Sequence, residues 1–263
     1  MKGPRRIACL SAETVDTLYR LGAQDRIVGV TGFARQPPEA RRDKPRLGGF
    51  TSADVAQVAR LEPDLVLCYS DMQAELAAQL ARAGLAVHLF NQRDIAGILA
   101  MIELLGAMVD ETARAAELVA RLQAGMDEVA AQAATLPRRP RVYFELWDAP
   151  LMCAPRWVSE LIALAGGEDC FAELSHHAAG RDRVIADPQE VVRRAPELIF
   201  ASGCNQRFTL ESLAERPGWD GIPAVVNGEV HGLPAPTLLQ PGPTVLDEGL
   251  RALTQHIQKV DNQ

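Results

Sequence analysis

No stretch of about eighteen uninterrupted apolar residues occurs anywhere in this 263-residue chain, so no segment reads as a membrane-spanning helix. Neither GxxxxGKS/T nor GxGxxG follows a strand pattern, which removes the usual phosphate cradles. There is no GxSxG elbow and no HExxH, and so no anchor for serine-hydrolase or zinc-protease chemistry. Five cysteines (Cys9, Cys68, Cys153, Cys170, Cys204) make an odd number without CxxC spacing. Cys9 and Cys68 lie in apolar runs, and the set reads as unpaired thiols suited to a reducing compartment. Lysine is scarce, three residues against 27 basic ones in all, and aromatics are 5% of the chain. Net charge is −7, a diffuse acidity that gives nucleic acid no footprint. The opening Met1–Arg6 runs directly into apolar Ile7–Leu10, with no long apolar stretch and small-residue cleavage site of a secretory leader. A chain whose native start is Met1 is therefore expected in the cytoplasm.

What the sequence does contain is alternation. Strand patterns fall at Ile7–Leu10, Ile27–Val30, Leu65–Tyr69, Ala86–Phe90, Arg141–Leu146, Leu198–Ala201 and Ala224–Val226. Thr14–Leu21, Ser52–Leu61, Met72–Ala83 and Ile95–Met108 repeat their apolar residues at helical intervals. That order predicts an α/β fold with mainly parallel sheets covered by helices. One segment, Asp110–Leu136, is alanine-rich and free of turn signals; as a single helix it would span about 40 Å at 1.5 Å per residue. It divides the chain into an N-terminal α/β lobe (1–109), a connecting helix (110–136) and a C-terminal α/β lobe (137–263), two Rossmann-like lobes joined by one long helix. Weak internal echoes support the division. Val58–Leu67 resembles Val192–Phe200, each a helix ending before a proline and a buried strand. Leu21-Gly22-Ala23-Gln24-Asp25 resembles Ala165-Gly166-Gly167-Glu168-Asp169.

No catalytic constellation emerges. His176-His177 are adjacent and cannot readily share one face of a regular element, so they read as loop residues rather than a metal site; His88 reads as a core residue. The chain is expected to be neither an enzyme nor a metalloprotein. The informative residues are aromatics placed after strands: Phe33 after Ile27–Val30, Phe50 in Gly48-Gly49-Phe50-Thr51-Ser52, Tyr69 closing Leu65–Tyr69, Trp147 closing Arg141–Leu146, and Trp157 opening the helix after Pro155. In open α/β sheets ligands bind outside the carboxyl ends of strands, so these rings point to a large, flat, mostly apolar ligand. Trp219, in Pro217-Gly218-Trp219, reads as structural. Arg181, Arg183 and Asn205 are candidates for a ligand's polar periphery.

Taken in order, Arg6–Thr14, Leu21–Thr31, Pro37-Pro38, Gly48-Gly49-Phe50 and Leu61–Val66 resemble the cobalamin and iron-siderophore substrate-binding proteins of ABC importers. Glu145–Met152, Trp157–Leu161, Ala165-Gly166-Gly167 and Pro217-Gly218-Trp219 resemble the cobalamin branch more narrowly. The resemblance covers about Arg6 to Ile257 and departs at Gly242-Pro243-Thr244, where that branch commonly has Gly-Pro-Arg, and at Gln36, where relatives often have tyrosine. It implies a monomeric, non-enzymatic, periplasmic protein that holds cobalamin or a related corrinoid in a cleft between two lobes for an ABC importer. Carried over by position, Phe33, Phe50, Tyr69, Trp147 and Trp157 would contact the corrin. Glu75 on one lobe, and Glu211 or Glu215 on the other, would dock onto permease arginines. The same fold also serves ferric siderophores and haem, for which Tyr69, His176 and His177 are the possible axial donors. A cytoplasmic corrinoid-handling protein uncoupled from transport is the third reading.

Overall fold

A computed structural model describes residues 3–203 and 208–260; Cys204 and Asn205 lie outside the described residues. The chain forms two compact units, Met1–Gln123 with Gln240–Thr244, and Ala124–Leu239 with Val245–Gln263. The long helix expected over 110–136 runs Thr112–Ala133 and carries the chain from the first unit into the second. Gln240–Thr244, which the expected division put in the C-terminal lobe, belongs with the first unit.

The first unit has a parallel sheet of β1 (Ile7–Cys9), β2 (Ile27–Val30), β3 (Leu65–Tyr69) and β4 (Val87–Phe90), in the order β2-β1-β3-β4. Every residue of β1 and of β3 is buried, as expected of central strands covered on both faces. In the second unit, β5 (Arg141–Glu145), β8 (Glu168–Asp169), β9 (Leu198–Ala201) and β10 (Val230–Gly232) form a parallel sheet in the order β10-β9-β5-β8. Between β5 and the next helix stands a two-stranded hairpin, β6 (Trp147–Asp148) with β7 (Leu151–Met152). The strand expected at Ala224–Val226 is instead a helical turn, Pro223–Val226, with proline at its start, and β10 follows four residues later. A three-residue apolar run does not distinguish strand from helix; Pro223, already set for a first helical turn, decides it.

Both sequence echoes have a geometric basis. Glu62 and Ala195, each preceding a proline, both adopt φ of +45° as their helices end. Gly22 and Gly166 both have positive φ, and the residue after each donates its N–H back five residues, Ala23 to Leu18 and Gly167 to Ile162. A side chain resists that backbone shape, which accounts for the repeated glycine. Cys9, Cys68 and Cys153 are free and buried, and Cys170 is free and half-buried; burial pushes all four thiols up to about 12. Such thiols are inert small hydrophobes. Trp219 is buried against Tyr143 and beneath the Arg216 guanidinium, the structural role expected of it.

Candidate ligand-binding surfaces

In the first unit, three expected residues come together at the carboxyl ends of the strands. Phe33 stands in the loop after β2 and is 47% exposed, an unusual placement for a large apolar ring. Gly32 donates its N–H to Gly48 O at 2.8 Å, which draws the Gly48–Ser52 loop against the Phe33 loop. A Cβ on Gly32 would lie 3.0 Å from that oxygen, so the approach suits glycine. Phe50, two residues further along that loop, is half-buried, its ring 6.4 Å from Tyr69 at 52°. Tyr69, closing β3, is mostly buried; its hydroxyl donates to Gln92 O at 3.1 Å and the Arg93 guanidinium lies 5.8 Å from its ring.

What fastens this strip is a residue that periodicity did not single out. Gln73 is fully buried; its Nε2 donates to Leu10 O at 3.0 Å and to Phe50 O, and its Oε1 accepts from Tyr69 N at 2.7 Å. One side chain thus links the ends of β1 and β3 to the loop carrying Phe50. A polar residue in an otherwise amphipathic helical window reads as surface, so the sequence carried no signal for it. Between them, Ser70 adopts φ +66° and ψ 165°, a region nearly reserved for glycine. Gln240–Thr244 is also fixed here: Gln240 donates to Phe33 O, Gln92 donates to Pro241 O, and Thr244 N donates to Asp16. Thr244 is buried beside Arg20, and a Cβ on Gly242 would meet Glu13 Cβ at 2.8 Å. Packing on the helix Ala12–Arg20 therefore accounts for Gly242 and Thr244.

In the second unit the indole of Trp147 is half-buried on the β6–β7 hairpin, donating to Ala149 O at 3.1 Å. Trp157 is mostly buried in the first turn of the helix Arg156–Leu164, and its Nε1 donates to Leu238 O at 2.9 Å. Beneath the hairpin, buried Glu145 at the end of β5 takes both Nη groups of Arg216, at 2.5 and 2.9 Å. Arg183 is buried and spends its guanidinium on the carbonyls of His177 and Ala178, whereas Arg181 is exposed. His176 and His177 are exposed, and His88 is half-buried against Phe90 rather than enclosed in the core. Glu75, Glu211 and Glu215 are all exposed. A groove of about 720 Å³ lies beside the start of β5 and the edge strand β8, among Arg141, Asp169 and Arg194. It is away from the carboxyl end of β5, where Trp147 stands.

Among the described residues no group of three or more His, Cys, Asp or Glu is placed to hold a metal, and no helix is long and apolar enough to cross a membrane. Rings and buried polar ties at strand ends suit binding rather than bond-breaking.

Residues 7–237 match the periplasmic binding protein family. The chain belongs to that family. Its members bind ligands rather than transform them. A cobalamin-binding protein of Halobacterium salinarum is 30% identical over 199 residues, 72% of this chain and 53% of that relative, so the chain spans about half of its length. An uncharacterised ABC transporter substrate-binding lipoprotein of Bacillus subtilis is 24% identical over 97% of this chain and 81% of its own. Among solved structures, the periplasmic haem-binding protein RhuT from Roseiflexus sp. RS-1 superposes with a TM-score of 0.85 at 22% identity, over 98% of this chain and all of that one. The shared fold therefore spans proteins named for different ligands.

Proposed function

We propose that this chain binds cobalamin or a related corrinoid and presents it, unaltered, to an ABC importer on the extracytoplasmic side of the membrane. The observation that carries the reading is the aromatic strip of the first unit, Phe33 exposed beside the Phe50–Tyr69 pair. Trp147 on the hairpin of the second unit adds to it. Covering such rings with a corrin yields about 25 cal/mol per Å² of apolar area, less the cost of ordering both partners. The relative named for cobalamin and the family's binding role support the same choice.

Haem competes for the same fold and needs an axial donor. The Tyr69 hydroxyl is engaged with Gln92 O and the two adjacent histidines are exposed on the second unit, which favours a corrinoid that brings its own axial ligands. Glu75 supports docking to a permease: it is exposed, and its contact with Arg82, at 3.4 Å, is the kind of surface pair that contributes little and exchanges readily. Glu211 or Glu215 would serve the second unit.

Calorimetric titration with cyanocobalamin, with haemin and ferrichrome as comparison ligands, tests the assignment. Expected is one cyanocobalamin per chain, with Phe50→Ala and Trp147→Ala each weakening it about tenfold or more, as loss of a buried aromatic anchor does. Unchanged affinity in both variants, or preference for haemin, overturns the reading.

A further inference from the structure

The corner of the first unit beside the aromatic strip is basic in an acidic protein. Residues 35–46 hold five arginine and lysine residues against two acidic ones, in a chain of net charge −7. Arg35 follows Phe33 in the loop after β2, Arg41 lies on the helix Pro38–Asp43, and Arg46 pairs alongside Val30, the last residue of β2. Backbone bonds from Leu47 N to Val30 O and from Val30 N to Pro45 O, both 2.9 Å, fix Arg46 at the carboxyl end of the sheet's edge strand.

Among the described residues, none of these three guanidiniums forms an ion pair. Of the two acids of the helix, Asp43 pairs with Arg42, and the charges of Asp43 and Glu39 add to burial in raising the pKa of the Tyr19 phenol. Arg41 Nε is shielded from solvent with no hydrogen-bond acceptor. Partial desolvation, then the charges of Arg35 and Arg46, hold that guanidinium below its ordinary value. A shielded donor beside two like charges is an unfavourable arrangement that an acceptor oxygen would relieve. Guanidinium forks match carboxylate and phosphate oxygens in particular.

We propose that Arg35, Arg41 and Arg46 form an anion-binding site that receives a carboxylate or phosphate carried on the periphery of the ligand. For the identity of the molecule that brings the anion, it rests on the corrinoid reading; for the anion itself it does not.

Two sets of titrations on the full chain separate these. In the first, pyrophosphate and tricarballylate serve as small probes. Expected is one site whose affinity falls with added salt and drops about tenfold or more in Arg35→Gln/Arg41→Gln/Arg46→Gln, since hydrogen bonds to charged groups are worth that much. The single variant Arg46→Gln, expected to show a smaller loss in the same direction, covers the case in which the triple variant does not fold. No binding of either probe, or binding unchanged in both variants, overturns the site. In the second set, cyanocobalamin supplies a phosphate, cobyrinic acid supplies carboxylates, and dicyanocobinamide supplies neither. Selective loss for one of the first two, with dicyanocobinamide unchanged, supports the site and names its anion; equal loss for all three overturns it. Triad-dependent binding of pyrophosphate in a chain that binds no corrinoid leaves the anion site standing and removes the corrinoid.

Discussion

In the first unit the ends of the central strands are tied by a neutral amide, Gln73, whereas in the second the end of β5 is held by the Glu145–Arg216 ion pair. The sheets themselves follow one plan: β2-β1-β3-β4 in one and, read from its opposite edge, β8-β5-β9-β10 in the other. The same strand order is therefore stabilised at its carboxyl end by two chemistries. An amide is cheap to bury when all its partners are present, as they are for Gln73. A buried carboxylate depends on its partner much more strongly, because the alternative is an uncompensated charge.

Breaking each tie gives the largest contrast. Glu145→Ala leaves Arg216 half-buried above Trp219 without its anion, and is expected to cost about 3–5 kcal/mol in chemical unfolding. Gln73→Leu removes three hydrogen bonds and leaves the Leu10 and Phe50 carbonyls without this donor, an expected loss of about 1–3 kcal/mol. Equal losses, or a larger one for Gln73→Leu, would mean that the ion pair is no more critical than the amide. The double variant Glu145→Ala/Arg216→Met sharpens the point: recovery of much of the lost stability shows that the orphaned charge, rather than the missing pair, was the cost.

How far the sequence alone reveals this depends on which physical signal each residue carries. The strands of the first unit were legible because β1 and β3 are continuous apolar runs, and the Glu62-Pro63 and Ala195-Pro196 junctions because proline enforces a break. β8 escaped notice since Glu168-Asp169 is two acidic residues long, and its pairing with Arg141 and Val142 is a tertiary choice. The aromatics were visible by position, yet their roles diverge by burial: Phe33 is open, while Trp157 is anchored to Leu238. Gln73 and the Arg35–Arg41–Arg46 corner were illegible for one shared reason. A polar side chain reads as surface until its neighbours across the chain are known.

A second contrast lies in pH dependence. Glu13, in the first unit, is buried with Oε1 unpartnered, and burial pushes its carboxyl from the ordinary 4.5 up to about 7. The folded chain therefore holds a proton that the unfolded chain has lost between these values. The stabilisation is complete below pH 4.5 and lost as pH rises through 7, about 3 kcal/mol in all at 1.36 kcal/mol per unit. Unfolding free energy measured from pH 4.5 to 8 is expected to fall by about that much, and Glu13→Gln to flatten the decline. Asp169, in the second unit, is also raised by burial, so a slope that survives Glu13→Gln and vanishes in Asp169→Asn would move the pH-sensitive element to the other unit.

The smallest effect compares two serines at matching places, Ser70 after β3 and Ser202 after β9, both buried. Ser70 has φ +66°, and Ser202 is not among the residues with positive φ. At an ordinary buried position alanine is more favourable than glycine, because glycine loses more freedom on folding. At Ser70 that order should reverse. Both substitutions remove the hydroxyl that accepts from Met72 N at 3.3 Å, but only glycine relieves the backbone, whose strain is on the order of 1–3 kcal/mol. Ser70→Gly is expected to exceed Ser70→Ala by about 1 kcal/mol in thermal unfolding, with the usual order at Ser202. The usual order at both sites would mean that Ser70 carries no strain. The bend that turns the chain from Tyr69 toward Gln73 would then owe its shape to its hydrogen bonds, Ser70 N–H to Phe90 O at 2.7 Å, Gln73 N–H to Ser70 O at 3.0 Å and Tyr69 N–H to Gln73 Oε1 at 2.7 Å among them.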